Sequence, residues 1–209
     1  MLMNNQQRFF ENDFQKIAFD LPDADIVLYN SFFSEEEANK LFKSLQDSIQ
    51  WQQDQIKFYG KTFNVPRLSA LYGYEGKSYT YSGITMNPHL WTSDLLQIKN
   101  RIETIAGMEF TSCLLNYYRD GNDGNNWHQD NEKELGENPI IGSVSFGETR
   151  PFQLKHIFKK ELKKVDVPLS HGSFLLMKGT TQHFWKHKIP KTSKVINPRI
   201  NLTFRVIKN

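Results

Sequence analysis

The chain has 209 residues, of which 38% are hydrophobic, 13% aromatic and 23% charged, enough for one domain with its own core and too hydrophobic for a disordered chain. No apolar run exceeds four residues, which excludes a membrane-spanning helix, and the single cysteine, Cys113, excludes a disulfide framework and a Cys-rich zinc site. The net charge of +3 hides an asymmetry: residues 1–54 carry four basic and ten acidic side chains, residues 55–209 twenty-two and thirteen, and a basic body suits a polyanionic partner.

The N-terminus lacks the basic start and apolar stretch of a secretory signal, which predicts an intracellular protein, in a bacterial cytoplasm or a eukaryotic nucleus. Phe9, Phe10, Phe14 and Ile17 form a weak helical stripe, read as a tail packed on the domain. Ser34-Glu35-Glu36-Glu37 is a capping-box pattern, and Ala38, Leu41, Phe42 and Leu45 follow at helical spacing to about Ile49. A second helix starts at Thr92 or Ser93, carries Leu95, Ile98, Ile102 and Ile105 as its stripe, and stops at Gly107. Downstream the pattern turns to β, with strands predicted over 110–118, 140–146, 151–157, 173–177, 183–187 and 199–207. Two helices followed by short strands predict an α+β chain ending in a sandwich or jelly roll.

In the last strand, Ile200, Leu202, Phe204 and Val206 alternate with Arg199, Asn201, Thr203 and Arg205, so one face is apolar and the other polar. On an edge strand that polar face would simply be solvated. His128 and Asp130 form an H-x-D pair that projects from one side of an extended segment. A second histidine beside them would complete the facial set of two imidazoles and a carboxylate that holds non-haem Fe(II) with coordination positions open. His156, His171, His183 and His187 are all candidates by spacing. Asn116 and Tyr118 share a face just before the H-x-D loop, and two arginines with an amide on a sheet face suit a dicarboxylate.

With these residues in view, the chain from about Asp25 onward resembles the AlkB-like Fe(II)/2-oxoglutarate-dependent dioxygenases, in their DNA-repair branch. The resemblance is carried by Val65-Pro66-Arg67, Tyr79-Thr80-Tyr81-Ser82-Gly83, Asn116-Tyr117-Tyr118-Arg119-Asp120-Gly121, His128-Gln129-Asp130-Asn131-Glu132, Ser143-Val144-Ser145-Phe146-Gly147, His171-Gly172-Ser173 and 198–205. It implies a double-stranded β-helix (jelly roll) core with the helices packed outside. The implied organisation is a leader over 1–24 and one dioxygenase domain over 25–209, with nucleotide recognition at about 55–90 and the jelly-roll core at about 110–209. It implies His128, Asp130 and His187 as the iron ligands, His187 lying twelve residues before Arg199. Asn116, Tyr118, Arg199, Asn201, Thr203 and Arg205 are then the 2-oxoglutarate contacts, with one arginine toward each carboxylate. In a straight strand the α-carbons of Arg199 and Arg205 stand about 20 Å apart, so the side chains must lean inward or the strand must bend.

The same resemblance implies oxidative demethylation of 1-methyladenine and 3-methylcytosine in DNA, using Fe(II), 2-oxoglutarate and O2 and releasing formaldehyde, succinate and CO2. A base in a duplex must be flipped to reach such a site, and Phe58-Tyr59-Gly60 between Lys57 and Lys61 matches an intercalating finger; an ordinary hairpin is the plainer reading. Tyr79 and Tyr81 match aromatics that orient the flipped base, with Tyr81 at a position where the branch carries Phe. Glu132 matches an acidic pocket residue and is otherwise a solvated loop glutamate. Arg67 is either a nucleic-acid contact or half of an ion pair. Among Lys155, Lys159, Lys160, Lys163 and Lys164, some are expected to contact phosphates. Lys186, Lys188, Lys191 and Lys194 are as readily solvated. His171 is read as structural or supporting, His183 as a rival to His187, and His89 and His156 as incidental. The expected partner is single- or double-stranded methylated DNA, with the protein a monomer away from membranes. The alternatives are a demethylase or hydroxylase of RNA or protein, and a non-catalytic nucleic-acid-binding jelly roll.

Overall fold

The computed structural model describes residues 14–81 and 84–208, apart from the side chains of Phe58 and Tyr81. Its first half contains β1 (Gln15–Ala18), β2 (Asp25–Asn30), α1 (Glu35–Ser48), the hairpin of β3 (Gln55–Phe58) and β4 (Lys61–Asn64), β5 (Leu68–Gly73), the hairpin of β6 (Tyr79–Tyr81) and β7 (Ile84–Met86), β8 (His89–Leu90) and α2 (Ser93–Ala106). The second half contains β9 (Ser112–Tyr118), β10 (Asn125–His128), β11 (Ile141–Gly147), β12 (Arg150–His156), β13 (Val165–Leu169), β14 (Ser173–Lys178), a one-turn helix α3 (Thr181–Phe184), β15 (Trp185–Ile189) and β16 (Arg199–Arg205). No helix among the described residues is long and apolar enough to cross a membrane.

Two sheets face each other in a jelly roll. The larger has eight strands in the order β1-β2-β14-β11-β16-β9-β5-β8, and the smaller has four, β10-β15-β12-β13. The two long helices, α1 and α2, lie on the outer face of the large sheet. The Ser34 hydroxyl accepts the Glu37 N–H while the Glu37 carboxylate accepts the Ser34 N–H, completing the capping box. Gly107 ends α2 in the left-handed conformation at φ 69°. Ala38, Leu41, Leu45, Leu95, Ile98 and Ile102 then pack against Ile200, Leu202 and Phe204 of β16. A second apolar cluster fills the space between the sheets, with Leu114 and Leu175 from the large sheet meeting Phe152, Leu154 and Trp185 from the small one.

This layering settles the polar face of β16. The strand lies between β11 and β9, paired along its whole length without a register shift, and Arg199, Asn201, Thr203 and Arg205 are all buried facing the small sheet. Solvation as an edge is therefore excluded, and the strand does not bulge to bring its arginines together.

Other expectations change. Residues 181–184 form a helical turn rather than the start of a strand, because Gly179 turns at φ 56° and the Thr181 hydroxyl donates back to the Lys178 carbonyl at 2.5 Å. The helical spacing of Phe14 and Ile17 does not give a helix: Ile17 lies on a strand, paired to Leu28, and Phe14 packs on Tyr29 and Phe32 with ring centres 5.4 and 5.3 Å away; Phe9 and Phe10 lie outside the described residues. Strands β2 and β5, which the sequence pattern did not mark, extend the large sheet on either side. So does β13 in the small sheet, whose Pro168 is tolerated because the strand is an edge.

Candidate metal centre and substrate cavity

Strand register builds the centre. β10 runs antiparallel to β15 with His128 directly opposite His187, and their ring centres are 4.2 Å apart. Asp130 follows in the next loop, its Oδ2 3.8 Å from His187 Nε2. One ligand atom from each of the three residues lies within 4.8 Å of the others, the only such cluster of three among the described residues. His128 Nδ1 sits 2.7 Å from the Asn126 carbonyl, so Nδ1 carries the proton and Nε2 is the nitrogen left for a metal. His187 stacks on Phe152 at 4.8 Å. The rival histidines are elsewhere. His183 is exposed on α3. His171 accepts the Gly147 N–H at 2.8 Å. His89 lies beside the Tyr72 ring. His156 is not incidental: it is buried, contacts Asp23 at 3.1 Å and accepts two backbone N–H groups.

The charge states suit metal binding. Burial pushes the His187 imidazole down to about 3, and burial likewise lowers His128, so both present neutral nitrogens. Burial opposes ionisation of Asp130, but Arg205 with the two histidines holds its carboxyl down to about 2. Arg205 donates from Nη2 to Asp130 Oδ1 at 2.8 Å, leaving Oδ2 toward His187. A histidine whose folded pKa is depressed costs stability when protonation is forced, so the cost is absent above pH 6.5 and grows toward pH 3. The metal-free protein is therefore expected to lose thermal stability as pH falls from about 6.5 toward 4, and His187→Gln should flatten that decline in a melting series.

One cavity opens onto this centre. It is lined by the three ligands and by Arg67, Tyr79, Asn116, Tyr118, Glu132, Asn201, Thr203 and Arg205. Arg67 is buried in the cavity wall and forms no ion pair among the described residues: its Nε donates to Asn116 Oδ1 at 2.6 Å and fixes that amide. Asn201 donates to Ser143 Oγ and to the Val144 carbonyl. Tyr79 is buried in the cavity wall, with the Arg205 guanidinium 4.9 Å from its ring centre. Glu132 is half-buried in that wall, and burial, reinforced by Asp130, raises its carboxyl above the usual range. It is not a solvated loop residue. Arg199 is wholly buried at the other end of β16, against the Tyr118 ring at 5.2 Å and with Nη2 on Ser145 Oγ. Tyr81's side chain lies outside the described residues.

The finger segment forms a two-residue hairpin turn, with Tyr59 at φ 47° and Gly60 at φ 74°. Tyr59 is 91% exposed at the tip, and Phe63 behind it is 48% exposed. Phe58's side chain lies outside the described residues. On the outer face of the small sheet, Lys155 and Lys188 stand 4.3 and 4.9 Å from the Trp127 ring centre, and Lys155 is paired across the sheet with Lys186. Lys159 is taken up by Asp23 at 2.7 Å, and Lys160 turns back onto the Ile157 carbonyl.

The donor set fits Fe(II), and the arginines fit a dianion. Among the described residues, Arg199 Nε and Nη1 and Arg205 Nε are buried without a hydrogen-bond partner, a state that a carboxylate-bearing ligand would relieve. Sequence reasoning missed Gln182, which is fully buried and bonds the Asp130 backbone; nothing in its sequence neighbourhood marks it.

Comparison with known proteins agrees. The profile of the 2OG-Fe(II) oxygenase superfamily matches residues 25–205. The chain is 41% identical over 191 residues to the alpha-ketoglutarate-dependent dioxygenase alkB homolog 3 of Homo sapiens, covering 87% of this chain and 66% of that protein. It is 36% identical over 188 residues to the human DNA oxidative demethylase ALKBH2, covering 86% and 72%. It thus spans about two thirds of the length of the homolog 3 relatives. A solved structure titled "The structure of OsALKBH1" superposes with a TM-score of 0.63 at 17% identity, covering 93% of this chain and 100% of the other, and supports the fold. The chain belongs to the 2OG-Fe(II) oxygenase superfamily, among its AlkB-like members, a family whose chemistry uses Fe(II), 2-oxoglutarate and O2.

Proposed function

We propose that this protein is an Fe(II)- and 2-oxoglutarate-dependent dioxygenase that demethylates nucleobases, acting on 1-methyladenine and 3-methylcytosine in DNA after the base is flipped into the cavity. The observation that carries this reading is the His128, Asp130 and His187 cluster at the floor of a cavity whose wall holds buried arginine and asparagine donors. Fe(II) bound there with 2-oxoglutarate and O2 supplies the oxidation: the co-substrate loses CO2 to become succinate, and one oxygen atom enters a methyl C–H bond. The N-hydroxymethyl product then breaks at its C–N bond to release formaldehyde.

The protein's own groups divide the remaining tasks. Arg205 and Arg199 lie at opposite ends of β16, which suits an extended dicarboxylate lying along the strand with its metal-chelating end near Arg205. Asn116, held by Arg67, and Asn201, held by Ser143, present fixed amides along that path with Tyr118 and Thr203. Glu132 lines the cavity that would receive a cationic methylated base; such a base would favour its ionised carboxyl and gain an acceptor for an exocyclic amine. Tyr59 at the hairpin tip would fill the gap left by the flipped base.

The similarity to a protein named as a DNA demethylase supports DNA over RNA or protein as substrate. Offering the same 3-methylcytosine in DNA and in RNA, beside a methylated peptide, tests this: faster base repair in DNA is expected, and turnover of RNA or peptide alone would contradict it. Phosphate contact suits the lysines over the Trp127 ring better than Lys159, which Asp23 holds, or Lys160, which turns back onto the Ile157 carbonyl. Reversing Lys155 and Lys188 to Glu is expected to weaken DNA binding and reduce the slope of log K against log salt by about 2; an unchanged slope in a titration series would remove these lysines from the interface.

A further inference from the structure

Gln182 lies on α3, away from the cavity lining, yet it is 0% exposed and touches the ligand loop twice. Its Oε1 accepts the Asp130 backbone N–H at 2.9 Å, and its carbonyl accepts Gln129 Nε2 at 2.8 Å. Its own Nε2 reaches Met177 Sδ at 3.5 Å, which fixes the amide with its oxygen toward Asp130. Five residues further along the same segment is His187. A single buried amide therefore ties the loop carrying one ligand to the segment carrying another.

The tie opposes a specific pull. Arg205 draws Asp130 Oδ1 at 2.8 Å, and without a backbone anchor the aspartate can turn so that both oxygens face the guanidinium. With the Asp130 N–H held, Oδ2 remains on the side of His187. We propose that Gln182 is a positioning residue for the metal centre, holding Asp130 so that Oδ2 stays directed between His128 and His187. This rests on the metal site proposed above.

The test measures Mn(II) binding by calorimetry, without turnover, in the parent, Gln182→Met, Gln182→Asn and Gln182→Glu proteins, alongside their metal-free melting temperatures. Met keeps the length but removes the acceptor, Asn withdraws it, and Glu retains it. Losing a group that orients a metal ligand typically weakens metal affinity about 10–100-fold. A loss of that size is expected in Met, or in Asn should the Met protein not fold, with Glu within about threefold of the parent. Met or Asn affinity within twofold of the parent, or a Glu protein as weak as Met, would overturn the positioning role while leaving the metal site intact. A parent that binds no Mn(II) would overturn both. A purely structural role would lower the metal-free melting temperature and leave the affinity of the folded protein unchanged.

Discussion

Replacing Asp130 with alanine is expected to abolish 2-oxoglutarate turnover and to destabilise the fold at the same time. The carboxylate has two partners in different roles: Oδ2 faces His187 and the metal position, and Oδ1 accepts Arg205 at 2.8 Å. Removing it weakens the metal site by more than the about 10–100-fold typical of losing an outer partner. It also leaves the Arg205 guanidinium, whose side chain is 5% exposed, without its counter-ion. Stranding one partner of a buried pair costs about 3–5 kcal/mol, and for a domain of this size each kcal/mol lowers the melting temperature by roughly 2–4 °C. Asp130→Asn keeps the shape and an acceptor for Arg205, so it should melt closer to the parent yet remain inactive. Calorimetry and succinate formation on the two variants separate the effects; an active alanine variant would remove Asp130 from the metal site.

The second large effect is expected at the hairpin. Tyr59 is 91% exposed and held at φ 47°, a conformation unfavourable for an aromatic residue and better suited to glycine. A base-stacking ring contributes about 1–3 kcal/mol, roughly a 5- to 150-fold change in rate. Replacing Phe58 and Tyr59 together by alanine should therefore cut kcat/KM on duplex substrate by about that factor. Activity on a free methylated nucleoside should change little. Tyr59→Gly controls for backbone strain, because glycine accepts this turn. Equal losses on duplex and nucleoside would assign the hairpin a general rather than a strand-opening role.

These two sites were legible in the sequence to different depths. The helices were readable because caps and stripes are local: Ser34, Thr92 and Gly107 mark their ends within a few residues. The alternation of β16 showed which residues share a face, but not that β9 and β11 would flank it and turn that face inward. β5, LSALYG, is buried along nearly all its length and so carries no alternation to read. The H-x-D pair could be seen from spacing, whereas the choice of His187 over His183 depended on family resemblance. In space, the one-turn helix leaves His183 exposed and the β10–β15 register sets His187 opposite His128. Tyr79 and Arg67 matched as substrate contacts, yet both are bound up with neighbours that only the fold supplies, Arg205 for one and Asn116 for the other. Gln182 was invisible because its partner lies 52 residues away.

The most direct test loads the protein with Fe(II) and 2-oxoglutarate in the absence of oxygen, then admits oxygen with an oligonucleotide carrying one 3-methylcytosine or 1-methyladenine. Formaldehyde, succinate and unmethylated base are expected to appear together, one formaldehyde for each base restored, and none without Fe(II) or in Asp130→Ala. Restored base absent on both single- and double-stranded substrate, with the metal bound, would contradict nucleobase demethylation by this site.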